Sequence, residues 1–175
     1  VAAIDILFNG PDTVDSVKDF LRFMKRQDEI YFDTTQFMAI PQGRTADEWL
    51  DCYEKLVNLD HISTIGLSKL SVPECFHGNH NEPGNCTKGR IKCIEFLVEH
   101  DMTPDKFGKY THLLGSDNAG INELTYYYNM DYNWIRSNDT SMPFVYGYKG
   151  ERIKNGIVKD IVMEKLNIKG NIIIC

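Results

Sequence analysis

Apolar positions in this chain switch repeatedly between strand-like runs and helical spacing. Val1-Ala2-Ala3-Ile4 is an apolar run that stops at Asp5 and predicts a buried strand. Val14, Val17, Phe20, Leu21 and Met24 then recur at helical spacing across residues 12–26, and Pro11 and Asp12 suit the start of that helix. Residues 36–40 predict a second strand, stopping at Pro41-Gln42-Gly43. Thr45, with Glu48 three residues on, is a capping-box signal for a helix striped by Trp49, Leu50, Tyr53, Leu56 and Val57. A third strand is expected at residues 62–65, ending at Gly66-Leu67-Ser68, followed by a long inserted loop at 71–88. Ile91, Ile94, Phe96, Leu97 and Val98 mark a helix at 89–100. Tyr110-Thr111-His112-Leu113-Leu114 predicts a fourth strand, ending at Gly115-Ser116-Asp117-Asn118. A helix at about 119–129 leads to a short fifth strand at 133–136. Towards the end, Ile157, Val158, Ile161, Val162 and Leu166 fit a helix, and residues 172–174 fit a final strand or tail.

Strands that alternate with helices in units of about 30–45 residues imply an α/β fold with parallel strands and right-handed crossovers. Ligands in such folds bind at the carboxyl ends of the strands. That places Asp5, Gln42-Gly43, Gly66-Leu67-Ser68, Gly115-Ser116-Asp117 and Ser137-Asn138-Asp139 on one rim.

Composition adds bounds. A chain of 175 residues with 42% hydrophobic and 25% charged content is read as a single domain. The apolar runs are too short to cross a bilayer, and no basic segment precedes one, so neither a membrane span nor a signal peptide is expected. A net charge of −6 runs against tight nonspecific binding of nucleic acid, which favours basic surfaces. Lys25, Arg26, Arg44, Lys88, Arg90, Lys149, Arg152 and Lys154 remain available for a local patch. Five cysteines, odd in number and irregular in spacing, point to a reduced, cytoplasmic setting.

Asp139 is a candidate nucleophile, general base or turn cap. A carboxylate nucleophile suits reaction at an anomeric carbon, where developing positive charge is met by negative charge. As a cap, Asp139 would serve Thr140 and Ser141. Gln42 offers donors and an acceptor for a purine-like edge, and Gly43 permits close approach of a flat ligand; the alternative is a plain strand-to-helix turn. Asp5 either binds the edge of a base or simply ends a strand. Cys75, His77, His80 and Cys86 form a C-x-H-x₂-H-x₅-C cluster within which zinc is conceivable, but the spacing matches no common structural site, and no cofactor is expected. Tyr126-Tyr127-Tyr128, Tyr132 and Trp134 suit core packing more than stacking on a base.

The order of five of these segments resembles the tRNA-guanine transglycosylase superfamily (queuine tRNA-ribosyltransferase-like), nearest to phage-type enzymes that place 7-deazaguanine bases in DNA. They are Val1-Ala2-Ala3-Ile4-Asp5, Phe37-Met38-Ala39-Ile40-Pro41-Gln42-Gly43, Thr64-Ile65-Gly66-Leu67-Ser68, Tyr110-Thr111-His112-Leu113-Leu114-Gly115 and Asn138-Asp139-Thr140-Ser141-Met142-Pro143. The resemblance covers roughly residues 1–148. It implies a (β/α)8 barrel, present here as its C-terminal part or in divergent form. It makes Asp139 the nucleophile of a covalent glycosyl intermediate, with Asp5, Gln42, Gly43, Gly66, Leu67 and Gly115 around the base. The partners implied are DNA or tRNA and a purine-like base, with a homodimer compatible. The family's first barrel strands, with their acid/base aspartate, and its cysteine-rich zinc site have no counterpart here. A non-catalytic purine-binding or nucleic-acid-binding barrel module is the alternative.

Overall fold

The structure is a computed structural model that describes residues 1–115, 120–139, 148, 151–154 and 157–160. Expectations for 116–119, the segment 140–147 around Pro143 and the tail at 161–175 lie outside these residues.

Four strands form a parallel sheet in sequence order: β1 (Phe37–Ala39), β2 (Ile62–Ser68), β3 (Tyr110–Leu114) and β4 (Ile135–Asp139). The first residues add a parallel edge beside β1 through a single bridge between Ala2 and Met38. The edge is held by Ala3 N–H to the Met38 carbonyl at 2.8 Å and Met38 N–H to the Val1 carbonyl at 2.9 Å. The helices are α1 (Gly10–Gln27), α2 (Glu29–Thr34), α3 (Ala46–Val57), α4 (Ser71–Phe76), α5 (Asn85–Glu99) and α6 (Gly120–Asn129). Sequential parallel strands joined by right-handed crossovers put their helices on one face. The packing of α1 on α3, α3 on α4, α4 on α5 and α5 on α6 agrees with this.

The core lies between that helix layer and one face of the sheet. Ala3, Phe37, Ala39, Ile65, Leu67 and Leu113 point into it, with Val17, Trp49, Tyr53, Leu56 and Leu97 from the helices. Trp49 stacks on Tyr53 with ring centroids 5.4 Å apart. Among the described residues no helix covers the opposite face of the sheet. There Met38, Thr64, His112 and Ser137 line an open cavity of about 270 Å³.

The local signals for α1 and α3 hold. The Asn9 side chain accepts from Asp12 N–H at 3.1 Å, with Pro11 in the first turn of α1. Thr45 Oγ1 accepts from Glu48 N–H at 3.2 Å. The return bond of the box shifts by one residue, because Glu48 Oε2 takes the Arg44 N–H at 3.0 Å.

Four expectations need correction. The first strand is not buried: Val1 and Ile4 are 58% and 60% exposed, and of residues 1–4 only Ala3 meets the core. Strand β2 runs on to Ser68, so Gly66 and Leu67 sit inside a strand rather than beyond it. The expected loop at 71–88 contains α4, and α5 begins at Asn85. Ile157 and Val158 belong to a hairpin of β5 (Glu151–Lys154) and β6 (Ile157–Asp160), not to a helix. The sequence signal for it is Asn155-Gly156, the pair most typical of two-residue hairpin links.

Gly43 is fixed by packing. A Cβ there would lie 2.5 Å from the Trp49 backbone nitrogen and 2.8 Å from its Cα, so α3 abuts the end of β1 only because no side chain intervenes. Gly43→Ala should lower stability by about 1–3 kcal/mol in denaturant titration, because the clash is with backbone that has no side chain to move aside.

Candidate functional site

Two clusters stand near the carboxyl ends of the strands, one at each side of the sheet. The first lies beyond the N-terminal edge and β1. Gln42 is fully buried, and both ends of its amide are engaged. Its Nε2 donates to Asp5 Oδ2 at 2.6 Å, and its Oε1 accepts from Phe8 N–H at 3.2 Å. Phe8 takes φ = 60°, an uncommon conformation for a bulky residue, and so presents its N–H to that oxygen. Thr13 Oγ1 tightens the same turn, accepting from Ile6 N–H at 2.9 Å. Burial raises the pKa of the Asp5 carboxyl above its ordinary value, against the lowering effect of its backbone bond and of Gln42. The fold thus brings together two residues singled out in the sequence, with the roles divided: Gln42 holds, and half-buried Asp5 is held.

The second cluster joins β3 and β4. Asp139 is the last residue of β4 and its side chain is 63% exposed. Its Oδ1 accepts from Gly115 N–H at 2.6 Å and lies 3.3 Å from His112 Nε2. The other ring nitrogen, His112 Nδ1, is 2.7 Å from Ser137 Oγ. His112 was missed from the sequence because it falls inside a strand rather than at its end. The alternation around it was a usable signal: a polar His between buried Thr111 and Leu113 belongs on the opposite face. His112 and Ser137 also line the 270 Å³ cavity, which therefore runs up to the Asp139 cluster.

Gly115 links this cluster to the interior. Its φ of +68° favours glycine, and a Cβ would strike the Lys69 side chain at 2.6 Å. Its carbonyl accepts from Arg90 at 2.6 Å, as does the Leu114 carbonyl at 3.2 Å. Arg90 is fully buried and pairs through two nitrogens with fully buried Glu123, at 2.8 and 2.6 Å. Tyr127 Oη donates to the same carboxylate at 2.8 Å. Burial, the largest single influence, lowers the guanidinium pKa; the charge and hydrogen bonds of Glu123, together with Cys86 and Tyr127, outweigh it, so the pKa ends above its ordinary value. Arg90 therefore belongs to the core and leaves the set of cations available to a phosphate backbone.

Other candidates are placed differently. A Cβ on Gly66 would meet Leu114 at 2.8 Å, Ile40 at 3.0 Å and Met38 at 3.2 Å, so those side chains fill the space over it. Leu67 is 1% exposed and faces the core. The suggested zinc ligands do not converge. Cys75 donates to the Gly43 carbonyl, its thiol pKa pushed up to about 11 by burial. His77 pairs with Lys92 at 2.9 Å, His80 with Glu74 at 2.6 Å, and Cys86 is buried in α5. Among the described residues no group of three or more His, Cys, Asp or Glu could hold a metal ion. Tyr127 is core, while Tyr132 and Trp134 pack against it with rings 5.9 Å apart. No helix among the described residues is long and apolar enough to cross a membrane.

Comparison with protein families and with curated proteins finds no match for this chain.

Two measurements check the site. Glu123→Gln leaves Arg90 charged and buried without its counter-charge, so unfolding titrations should show a loss of about 3 kcal/mol. Asp5→Asn should raise Tm above wild type at pH 7, because it removes the buried carboxylate. The folded-state pKa of Asp5 is raised, so as pH falls the folded chain takes up the proton before the unfolded one. The wild type then recovers stability, and the advantage of the variant should shrink as pH approaches 3.8.

Proposed function

We propose that this chain is a base-exchange glycosyltransferase resembling the tRNA-guanine transglycosylases, replacing guanine in DNA or tRNA with a 7-deazaguanine base. The carrying observation is that Asp139 and the Asp5–Gln42 pair both lie near the carboxyl ends of strands in one parallel sheet. Asp139 is exposed and bonded through one oxygen, as a nucleophile needs, while Asp5 is half-buried and oriented, as a group reading a base needs. The sequential strand order, with helices on one face, supports reading the fold as a sector of a (β/α)8 barrel, whose sites lie at that rim.

On this reading an Asp139 carboxylate oxygen attacks C1′ of the target nucleotide. The C1′–N bond of guanine breaks, and its electron pair leaves with the base, which takes a proton from water. The incoming base then loses a proton to water and attacks C1′, and Asp139 departs as the carboxylate. Negative charge beside C1′ offsets the positive character that develops there. Asp5, whose pKa is raised, meets the donor edge of the base, and Gln42 fixes its direction.

A second reading, a purine-binding module without chemistry, draws on the filled space over Gly66, where Leu114, Ile40 and Met38 narrow the approach to the strand. Incubation with radiolabelled guanine and either plasmid DNA or bulk tRNA separates the two. The proposal expects label in one nucleic acid and a loss of at least about a thousandfold in Asp139→Asn, the order typical for removing a covalent nucleophile. Exchange that survives Asp139→Asn would refute the nucleophile, and guanine binding in calorimetry without exchange would favour the module.

A further inference from the structure

We propose that His112 is the positioning residue of Asp139: its Nε2–H, with the Gly115 N–H, holds Oδ1 so that Oδ2 is the oxygen presented to the substrate. This rests on the reading of Asp139 as nucleophile and adds a group that the sequence resemblance does not supply.

Both contacts converge on one atom. Gly115 N–H reaches Asp139 Oδ1 at 2.6 Å and His112 Nε2 lies 3.3 Å from the same oxygen, whereas Oδ2 has no hydrogen bond among the described residues. A carboxylate fixed through a single oxygen cannot spin freely, so its second oxygen keeps one direction. Register explains why the histidine reaches it. His112 pairs with Ser137, and Leu114 pairs with Asp139, so His112 sits two residues below Asp139 on the same face of the neighbouring strand.

The protonation of the ring follows from its partners. A carboxylate oxygen only accepts, so the nitrogen facing it must carry hydrogen. In the neutral ring this is the Nε2–H tautomer, and Nδ1 then accepts from the Ser137 hydroxyl at 2.7 Å. In the charged ring Nδ1–H donates to Ser137 instead. Nε2–H points at Asp139 in both states, so Ser137 can serve either form without turning the ring. The His112 side chain is 19% exposed, well sheltered on the sheet face but not locked in the core.

The test has two readouts. Long-range ¹H–¹⁵N spectra of the wild-type imidazoles should show His112 with a protonated Nε2, and Asp139→Asn should move that nitrogen's resonance. In the guanine-exchange assay, His112→Leu should lower kcat by about 10- to 100-fold while KM for guanine stays within about threefold, because orientation is lost and the base site is not. His112→Gln places an amide N–H near the position of Nε2 and should restore most of the rate, while Ser137→Ala should cost less than His112→Leu. A purely structural histidine would instead show losses that follow Tm, with no rescue by Gln. Wild-type kcat in a folded His112→Leu variant, or an unprotonated Nε2, overturns the proposal while leaving the Asp139 reading intact. Exchange unaffected by Asp139→Asn, or a wild-type chain inert towards guanine, overturns both.

Discussion

The buried Arg90–Glu123 pair is the constraint on which the Asp139 side of the rim depends. Two charges with no solvent exposure carry a heavy desolvation cost, which their mutual attraction offsets only with good geometry and further hydrogen bonds. The chain supplies both: two bonds within the pair, one from Tyr127, and two from the guanidinium to the Leu114 and Gly115 carbonyls. An apolar pair of similar volume could be as stable, but it would take from the Gly115 carbonyl the donor that Arg90 supplies, and leave the Leu114 carbonyl only the Lys69 N–H. What the ion pair contributes is direction. It ties α5, α6 and the end of β3 together, and it sets the left-handed turn at Gly115 whose N–H then reaches Asp139.

The sheet imposes the second constraint. Strands that follow one another in order, each crossing over the same face, use that face for the core; among the described residues the other face carries no helix layer. The side chains show the division. Residues turned to the helices are buried and, Thr111 apart, largely apolar, while those on the other face include Thr64, His112 and Ser137 beside Met38. This polar face meets the rim at His112 and Ser137, which line the cavity and also belong to the Asp139 cluster.

Much of this was legible because it depends on local chemistry. The start of α1 at Pro11 and Asp12, the cap at Thr45, the stripe of α3 and the run Tyr110–Leu114 are short-range signals that tertiary packing left in place. What escaped depends on partners distant in sequence. Ser71–Phe76 looks like loop because glycine, asparagine and proline crowd the residues after it, yet burial of Ser71, Val72 and Pro73 against α5 makes a helical turn. Arg90 reads as a surface cation until Glu123, thirty-three residues away, is seen opposite it. His112 is hidden in the same way, since its meaning lies in two residues of the next strand. The glycines misled in the other direction. Gly43 and Gly66 suggested close approach of a ligand, but the neighbours that need the space are α3 in one case and Leu114, Ile40 and Met38 in the other.

The two sides of the rim are built on opposite principles, and that difference bears on the partner. Around Asp5 the chain carries three local costs: a carboxyl with a raised pKa, a fully buried glutamine amide and a phenylalanine at positive φ. Such costs persist where the arrangement itself is useful. Among the described residues Asp139 has no comparable enclosure; its side chain is 63% exposed and steadied from below. On the proposed reading, the half-buried pair meets a small flat base, and the exposed carboxylate meets a group arriving on something larger. With net charge −6 and Arg90 withdrawn into the core, the chain has little cationic surplus for gripping phosphates by counterion release. On the proposed reading, selectivity must therefore come from the base held at Asp5, and the nucleic acid must engage chiefly through the single nucleotide that reaches Asp139.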